Sequence, residues 1–349
     1  MDRLVKVLVV DDSAFVRKMV KQMLSKSPFI DVVGTARDGE EALEMVEVLQ
    51  PDVVTLDMIM PRMDGLEFLR TQMAKAPLPV VVVSIASERG ETALEALDLG
   101  AVDFIQKPTA LATSKINEIA DELVEKVKLA ATVPMEQVKI VTELEVPKET
   151  AVPVLHGTTQ VDLIAIGIST GGPQALKYLI PQFPAHFPVP IAIVLHMPVG
   201  YTEMYAQRLN AISYLTVQEA REGDLVEPGK VFVAPAGRHL TFRKLANGTV
   251  VTHLDKRPFD TLHRPSVDVM FQSAADIYND RVLGVVMTGM GSDGLQGAAK
   301  IKAYGGKIIT ETEETCIVYG MPRSVAEAGL SDFAVPLNEM APKIMEESV

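Results

Sequence analysis

The chain has 349 residues, a length typical of two or three domains. Its composition, 48% hydrophobic and 23% charged, excludes a largely disordered protein, and its formal net charge of −13 disfavours binding to nucleic acid over a broad surface. A single cysteine, Cys316, excludes an intramolecular disulfide, and no apolar run approaches the ~20 residues that span a membrane. We therefore expect a cytoplasmic protein without membrane insertion.

Residues 1–130 alternate short β-branched runs with amphipathic helical patterns. The predicted strands are Val5–Val10, Asp31–Ala36, Val53–Leu56, Val80–Val83 and Val102–Ile105. The predicted helices are Ala14–Leu24, Glu40–Leu49, Gly65–Met73, Thr92–Leu99 and Ile116–Val127. This alternation predicts an α/β domain with a doubly wound parallel sheet covered on both faces.

Reactive side chains follow four of these strands. Asp11 and Asp12 come after the first strand, Asp57 after the third, Ser84 after the fourth and Lys107 after the fifth. Each of them alone is typical of a turn or a helix N-cap. Together they indicate one site, because the carboxyl ends of parallel strands meet at one edge of the sheet.

This cluster suits a phosphoryl acceptor. Asp11, Asp12 and Asp57 offer the hard oxygen ligands that Mg²⁺ prefers, and Asp57 can attack a phosphoryl group to form an acyl phosphate. Lys107 can neutralise charge on the transferring group while Ser84 donates a hydrogen bond to it.

Residues 4–130 resemble a response-regulator receiver domain. The resemblance is carried by residues 10–13 (VDDS), 56–65 (LDMIMPRMDG), 83–84 (VS) and 100–108 (GAVDFIQKP). It implies that Asp57 accepts phosphate from a histidine kinase and that Phe104 occupies an aromatic switch position, although a plain core residue is the alternative. It also implies a cis Lys107–Pro108 bond, whereas an X-Pro bond by itself favours trans.

Residues 131–160 lose the alternation and predict a linker, with some local structure around Val138–Leu144. From residue 161 to 349 a second doubly wound, Rossmann-like domain is predicted. Its strands are Leu163–Ile166, Val189–Leu195, Val231–Ala234, Val282–Met287 and Lys307–Thr310. Its helices include Gln174–Leu179, Val267–Ala275 and Leu295–Ala303, and Asn247-Gly248 predicts the turn of a hairpin within Thr241–Leu254.

Ser169 is the candidate nucleophile of this domain. It lies in Gly167-Ile168-Ser169-Thr170-Gly171, a G-x-S-x-G pattern between a strand and a helix. The Thr170 N–H at the start of the following helix is the first candidate oxyanion donor. A phosphate loop is disfavoured because no Gly-Lys-Ser/Thr follows, whereas a simple serine N-cap stays open.

His196 and Asp293 are the candidate partners of Ser169. His196 follows an apolar strand directly, and Asp293 lies in the glycine-rich loop after another strand, where it can orient an imidazole. Alternatives are the remaining histidines, His156, His186, His239, His253 and His263, and the helical carboxylates Asp268 and Asp276. The order Ser, His, Asp differs from that of α/β-hydrolases, which argues for a separate hydrolase family.

Residues 161–345 resemble the catalytic domain of chemotaxis protein-glutamate methylesterases. The resemblance is carried by residues 166–173 (IGISTGGP), 196–198 (HMP), 263–268 (HRPSVD), 287–294 (MTGMGSDG) and 318–322 (VYGMP). It implies hydrolysis of glutamate methyl esters, and deamidation of glutamines, on chemoreceptor helices. It also implies that an N–H near Met290 joins that of Thr170 in holding the oxyanion. Leu195 and Val199 depart from the expected Gln and Pro, and both could alter the rim of the site.

The combination of the two domains predicts an enzyme in which the unphosphorylated receiver blocks access and phosphorylation of Asp57 relieves the block. The hydrolase itself is expected to need no cofactor. A rival is a receiver with a DNA-binding output, but the second half has a negative net charge and no basic helix-turn-helix pattern. A second rival is a non-catalytic adaptor in which Ser169 only caps a helix.

Overall fold

The computed structural model describes residues 4–84, 90–107, 113–144 and 159–349. The chain divides into two compact units, Met1–Thr142 and Glu143–Val349. Within the described ranges, no helix combines the length and the apolar character needed to cross a membrane. Much of the predicted linker, including His156, lies outside the described residues.

The first unit contains a five-stranded parallel sheet with the order β2-β1-β3-β4-β5. Its strands are β1 (Val5–Val10), β2 (Ile30–Ala36), β3 (Val53–Leu56), β4 (Val80–Ser84) and β5 (Asp103–Gln106). Its helices are α1 (Ala14–Leu24), α2 (Gly39–Leu49), α3 (Gly65–Lys75), α4 (Gly90–Asp98), α5 (Thr113–Ala130) and α6 (Met135–Glu143). The predicted doubly wound fold is confirmed, with element ends displaced by a few residues at most.

Local sequence explains where the helices of this unit begin. The side chains of Ser13, Asp38 and Asp64 accept hydrogen bonds from N–H groups in the first turns of α1, α2 and α3. Helix α6 lies in the stretch predicted as a linker, and it buries Val138 and Val141. The first compact unit therefore extends to Thr142.

The second unit contains a seven-stranded parallel sheet with the order β14-β13-β12-β6-β7-β9-β8. The strands are β6 (Leu163–Ile168), β7 (Ile191–Leu195), β8 (Thr216–Glu219), β9 (Lys230–Val233), β12 (Val282–Val286), β13 (Lys307–Glu311) and β14 (Phe333–Val335). The helices are α7 (Gly172–Leu179), α8 (Thr202–Ile212), α9 (Val267–Tyr278), α10 (Leu295–Ala303), α11 (Met321–Glu327) and α12 (Leu337–Ser348). Strands β6, β7 and β12 are buried along their whole length, as expected for central strands of a doubly wound sheet.

The predicted hairpin is confirmed as β10 (His239–Lys244) paired antiparallel with β11 (Val250–Asp255). Gly248 in its turn has φ 87°, a value that glycine adopts without steric cost. Five elements lacked a recognisable pattern: α8, β8, α11, β14 and α12. Two of them are atypical for physical reasons, since β14 has only three residues and α12 contains Pro342.

Candidate functional site

Four adjacent strands of the first unit end in the predicted acceptor residues. Asp11, Asp57 and Lys107 follow β1, β3 and β5, and Ser84 ends β4. The register pairs Val10 with Leu56, the residues immediately before Asp11 and Asp57. The sheet therefore brings to one edge the side chains that the sequence separates by more than ninety positions.

The three carboxylates form a cluster that fits a divalent cation. Asp11, Asp12 and Asp57 each offer an oxygen, and these oxygens lie within 4.8 Å of one another. Asp11 and Asp57 are buried, whereas Asp12 is exposed and leaves the cluster open to solvent. An all-oxygen donor set with room for water matches the coordination preference of Mg²⁺.

Lys107 connects this cluster to the neighbouring strands. Its Nζ lies 2.5 Å from Oδ2 of Asp11 and 2.8 Å from Oδ2 of Asp57. Burial raises the pKa of Asp57 above its ordinary value, and the hydrogen bond and charge of Lys107 oppose that rise. The Lys107 N–H also donates to the Ser84 carbonyl at 2.6 Å, so the two predicted support residues are held side by side.

Phe104 is almost fully buried on β5. Its environment agrees with the core interpretation, while its role as a switch stays a prediction. The predicted cis bond involves Pro108, which lies outside the described residues.

The second unit presents Ser169 at the turn between β6 and α7. Gly171 has φ 80° at the N-cap of α7, and the Gly172 N–H donates to the Ser169 carbonyl at 2.7 Å. Gly289 allows the loop after β12 to approach the serine, because a methyl group on its Cα would lie 2.8 Å from the Ser169 Cβ. Ser169 itself is partly exposed, as a nucleophile that meets an external substrate must be.

His196 and Asp293 form a hydrogen-bonded pair beside this turn. Ile168 pairs with Leu195 across β6 and β7, so Ser169 and His196 follow paired residues, and the His196 N–H donates to the Ile168 carbonyl. Nε2 of His196 lies 2.9 Å from Oδ2 of Asp293. Nδ1 of the same ring is buried and has no hydrogen-bond partner within the described part of the chain. This arrangement assigns the ring proton to Nε2 and leaves a lone pair on Nδ1.

The carboxylate of Asp293 accepts hydrogen bonds on both oxygens. Oδ2 also accepts from the Val267 N–H, and Oδ1 accepts from the Ser266 hydroxyl and the Asp268 N–H. Burial alone would raise the pKa of Asp293, but the hydrogen bond and charge of His196 and these N–H groups lower it to about 2. Asp293 is therefore a permanent anion at the N-terminus of α9, which favours negative charge.

Ser266 is a contributor that the sequence analysis did not single out. It is the N-cap of α9, and its hydroxyl orients Asp293. His239 supports it in turn, since its Nδ1 accepts from the Ser266 N–H at 3.2 Å. Ser266 lies in the HRPSVD segment that carries the family resemblance, and His239 was an alternative to His196, but no local pattern predicted that either would support Asp293.

The residues considered as alternatives to His196 and Asp293 mostly make contacts elsewhere in the unit. Asp268 accepts from the Gly294 and Gly297 N–H groups and so caps α10, and Asp276 pairs with Lys300. Burial lowers the pKa of His239, which is held by the Pro258 carbonyl. His263 is the exception among the histidines, because its ring stacks on that of His196 with centroids 4.1 Å apart.

Comparison with known proteins agrees with both units. The family model described as "CheB methylesterase" matches residues 164–344, and that of the "response regulator receiver domain" matches residues 7–118. A protein-glutamate methylesterase/protein-glutamine glutaminase of Myxococcus xanthus is 48% identical over 96% of each chain. The chain belongs to the CheB methylesterase family. A relative of the same name from Thermotoga maritima is 43% identical over 99% of each chain.

The catalytic unit also has a solved counterpart in this family. The crystal structure of the Thermotoga maritima CheB methylesterase catalytic domain superposes with a TM-score of 0.52 at 45% identity. It covers 53% of this chain and 98% of that one. The family fold predicted for residues 161–349 is therefore confirmed.

The two departures from the family pattern lie in different environments. Leu195 is fully buried, and its Cδ1 packs where a side chain on Gly172 would lie, so it contributes nothing to a solvent-exposed rim. Val199 is 62% exposed and approaches Gly237 in the loop that precedes β10. Only Val199 is therefore placed to contact a bound partner directly.

Proposed function

We propose that this protein hydrolyses glutamate methyl esters, and deamidates glutamines, on the cytoplasmic helices of chemoreceptors during chemotactic adaptation. The relatives carry the names of both activities. The observation that carries the assignment is the His196–Asp293 pair at 2.9 Å beside Ser169, at the carboxyl ends of β6, β7 and β12. A capping serine needs neither a histidine beside it nor an ionised carboxylate bonded to that histidine.

In the proposed mechanism, Ser169 Oγ attacks the side-chain carbonyl carbon and passes its proton to Nδ1 of His196. The Thr170 N–H, together with that of Met290, stabilises the oxyanion. His196 then donates this proton to the methoxide oxygen, or to the amide nitrogen of glutamine, so that methanol or ammonia leaves and the acyl-enzyme forms. Water attacks this ester with His196 as base, which releases glutamate and regenerates Ser169.

The first unit is proposed to regulate this activity as a receiver for a histidine kinase. Asp57 would be the phosphoryl acceptor, and Asp11, Asp12 and Asp57 would hold Mg²⁺. The metal neutralises charge on the phosphoryl group when it is bound. Lys107 contacts the carboxylates of Asp11 and Asp57, and Ser84 is held beside it. We assign residues 1–130 to the receiver, 131–160 to the linker and 161–349 to the hydrolase.

A fluorophosphonate probe tests the nucleophile independently of the receptor. We expect covalent labelling of Ser169 in the full chain and a loss of labelling in His196→Ala, because Nδ1 can no longer accept the serine proton. His186→Ala, a histidine in a loop before β7, is the matched control and should label normally. Failure of the unaltered protein to react at Ser169 would favour the adaptor alternative.

Phosphorylation is tested separately with a small acyl phosphate and Mg²⁺. We expect Asp57→Asn to abolish phosphoryl incorporation and the accompanying rise in methyl-ester hydrolysis, because an amide cannot attack phosphorus. Asp31→Asn, an exposed position on β2, should retain both. Equal incorporation by Asp57→Asn and the unaltered protein, located by mass spectrometry, would place the acceptor elsewhere.

A further inference from the structure

The carboxyl end of β13 carries a buried carboxylate that the proposed mechanism does not use. Glu311 is 0% exposed, and Thr288, at the end of the neighbouring strand β12, donates its N–H to Oε2 at 2.9 Å. Strand β12 in turn borders β6, which ends before Ser169. Glu311, Thr288 and Ser169 therefore lie in a row across three adjacent strand ends.

Thr288 holds the chain on both sides of the Ser169–Thr170 peptide group. Its carbonyl accepts from the Ser169 N–H at 2.9 Å, and its hydroxyl donates to the Thr170 carbonyl at 2.9 Å. The N–H of that peptide group is the candidate oxyanion donor. Any displacement of Thr288 would therefore move the nucleophile and the oxyanion donor together.

Glu311 is fixed on its far side by a neutral donor. Its Oε1 accepts from the Thr315 hydroxyl at 2.9 Å. Burial raises the pKa of Glu311 to about 7 although its hydrogen bonds oppose it, and burial raises that of the Cys316 thiol as well. A buried carboxyl group among neutral donors costs stability, so packing alone does not account for it.

We propose that Glu311 is a positioning residue that acts through Thr288 to hold Ser169 and the Thr170 N–H in reactive geometry. The inference rests on the proposed function only in taking Ser169 as the nucleophile. A misplacement of about 1 Å can lower a rate roughly 100-fold. The rate at which a fluorophosphonate reacts with Ser169 should therefore report on Glu311, whatever the natural substrate is.

The test compares full-length variants. In each variant, the amount of protein labelled once the reaction is complete gives the number of molecules with a functional Ser169, and rates are expressed per such molecule. We expect Glu311→Ala to slow labelling, and kcat per labelled site, by roughly 10- to 100-fold with KM little changed. Glu311→Gln should recover most of the rate, because its amide oxygen can accept from the Thr288 N–H. Glu347→Gln is the matched control, since Glu347 is buried and accepts from Lys307 at the other end of β13.

Thr288→Val provides a second measurement should Glu311→Ala fold poorly. It removes the hydroxyl bond to Thr170, and we expect it to slow labelling per functional site by itself and to be non-additive with Glu311→Ala, as for residues in one network. A normal labelling rate per functional site in Glu311→Ala or in Thr288→Val, or strict additivity of these two substitutions, would overturn the positioning role. If Ser169 of the unaltered protein did not label, the proposed function itself would fail instead.

Discussion

Replacing Ser169 with Ala is expected to lower methyl-ester hydrolysis on receptor membranes by roughly 10⁴-fold or more. The reason is that Ser169 carries the partly exposed hydroxyl of the turn between β6 and α7, whereas the Thr170 side chain in the same turn is buried. His196 and Asp293 remain in place, so the loss measures the nucleophile alone. Methanol release from methyl-labelled receptors is the readout, and glutamine deamidation followed by mass shift should fall in parallel.

Ser213→Ala is the matched control for this substitution. Ser213 ends α8 in the same unit, and its hydroxyl only donates to the Leu209 carbonyl. Its removal should leave both activities unchanged. Hydrolysis that persisted in Ser169→Ala at more than a tenth of the original rate would refute the assigned nucleophile.

Asp293→Asn is expected to lower kcat by roughly 10³- to 10⁴-fold, as removal of the charge does in comparable triads. All four neighbours of this carboxylate donate to it: His196, Ser266, Val267 and Asp268. An asparagine must direct its NH₂ group toward one pair of them. If it faces His196, the ring proton moves to Nδ1 and the base is lost.

The pH dependence distinguishes the loss of kcat in Asp293→Asn from protonation of the Asp293 carboxylate in the unaltered protein. Because the pKa of Asp293 is lowered to about 2, the carboxylate stays ionised at every pH above about 4. Its contribution to stability is complete above the ordinary pKa near 3.8 and is lost only as the pH falls through about 2. The deficit of Asp293→Asn should therefore persist across the neutral and alkaline range.

Asp276→Asn is the control, taken from α9, the helix whose N-terminal N–H groups donate to Asp293. Asp276 is on α9 and exposed, and it pairs with Lys300 rather than with the histidine. We expect it to change stability slightly and kcat not at all. An Asp293→Asn protein with full kcat would show that His196 needs no carboxylate partner.

The order of most strands and helices could be predicted from sequence, because the spacing of apolar residues differs between strands and helices. In the first unit, β-branched runs alternate with amphipathic stretches, and the ends of β1 and β3 were predicted to the residue. Helix α12 and the short strand β14 gave no comparable signal, because their formation depends on packing against β13. The placement of Ser169 at a strand-to-helix turn also followed from local pattern alone.

The sequence by itself determined the chemistry that converges at each sheet edge, since parallel strands force their carboxyl ends together. It could not determine which atoms meet. Three features depend on contacts between residues far apart in the chain. These are the hydrogen bond from Nε2 of His196 to Asp293, the hydrogen bond from Ser266 to Asp293, and the position of Glu311 behind Thr288. Such contacts are fixed by strand order and side-chain packing, and only the tertiary structure decided them.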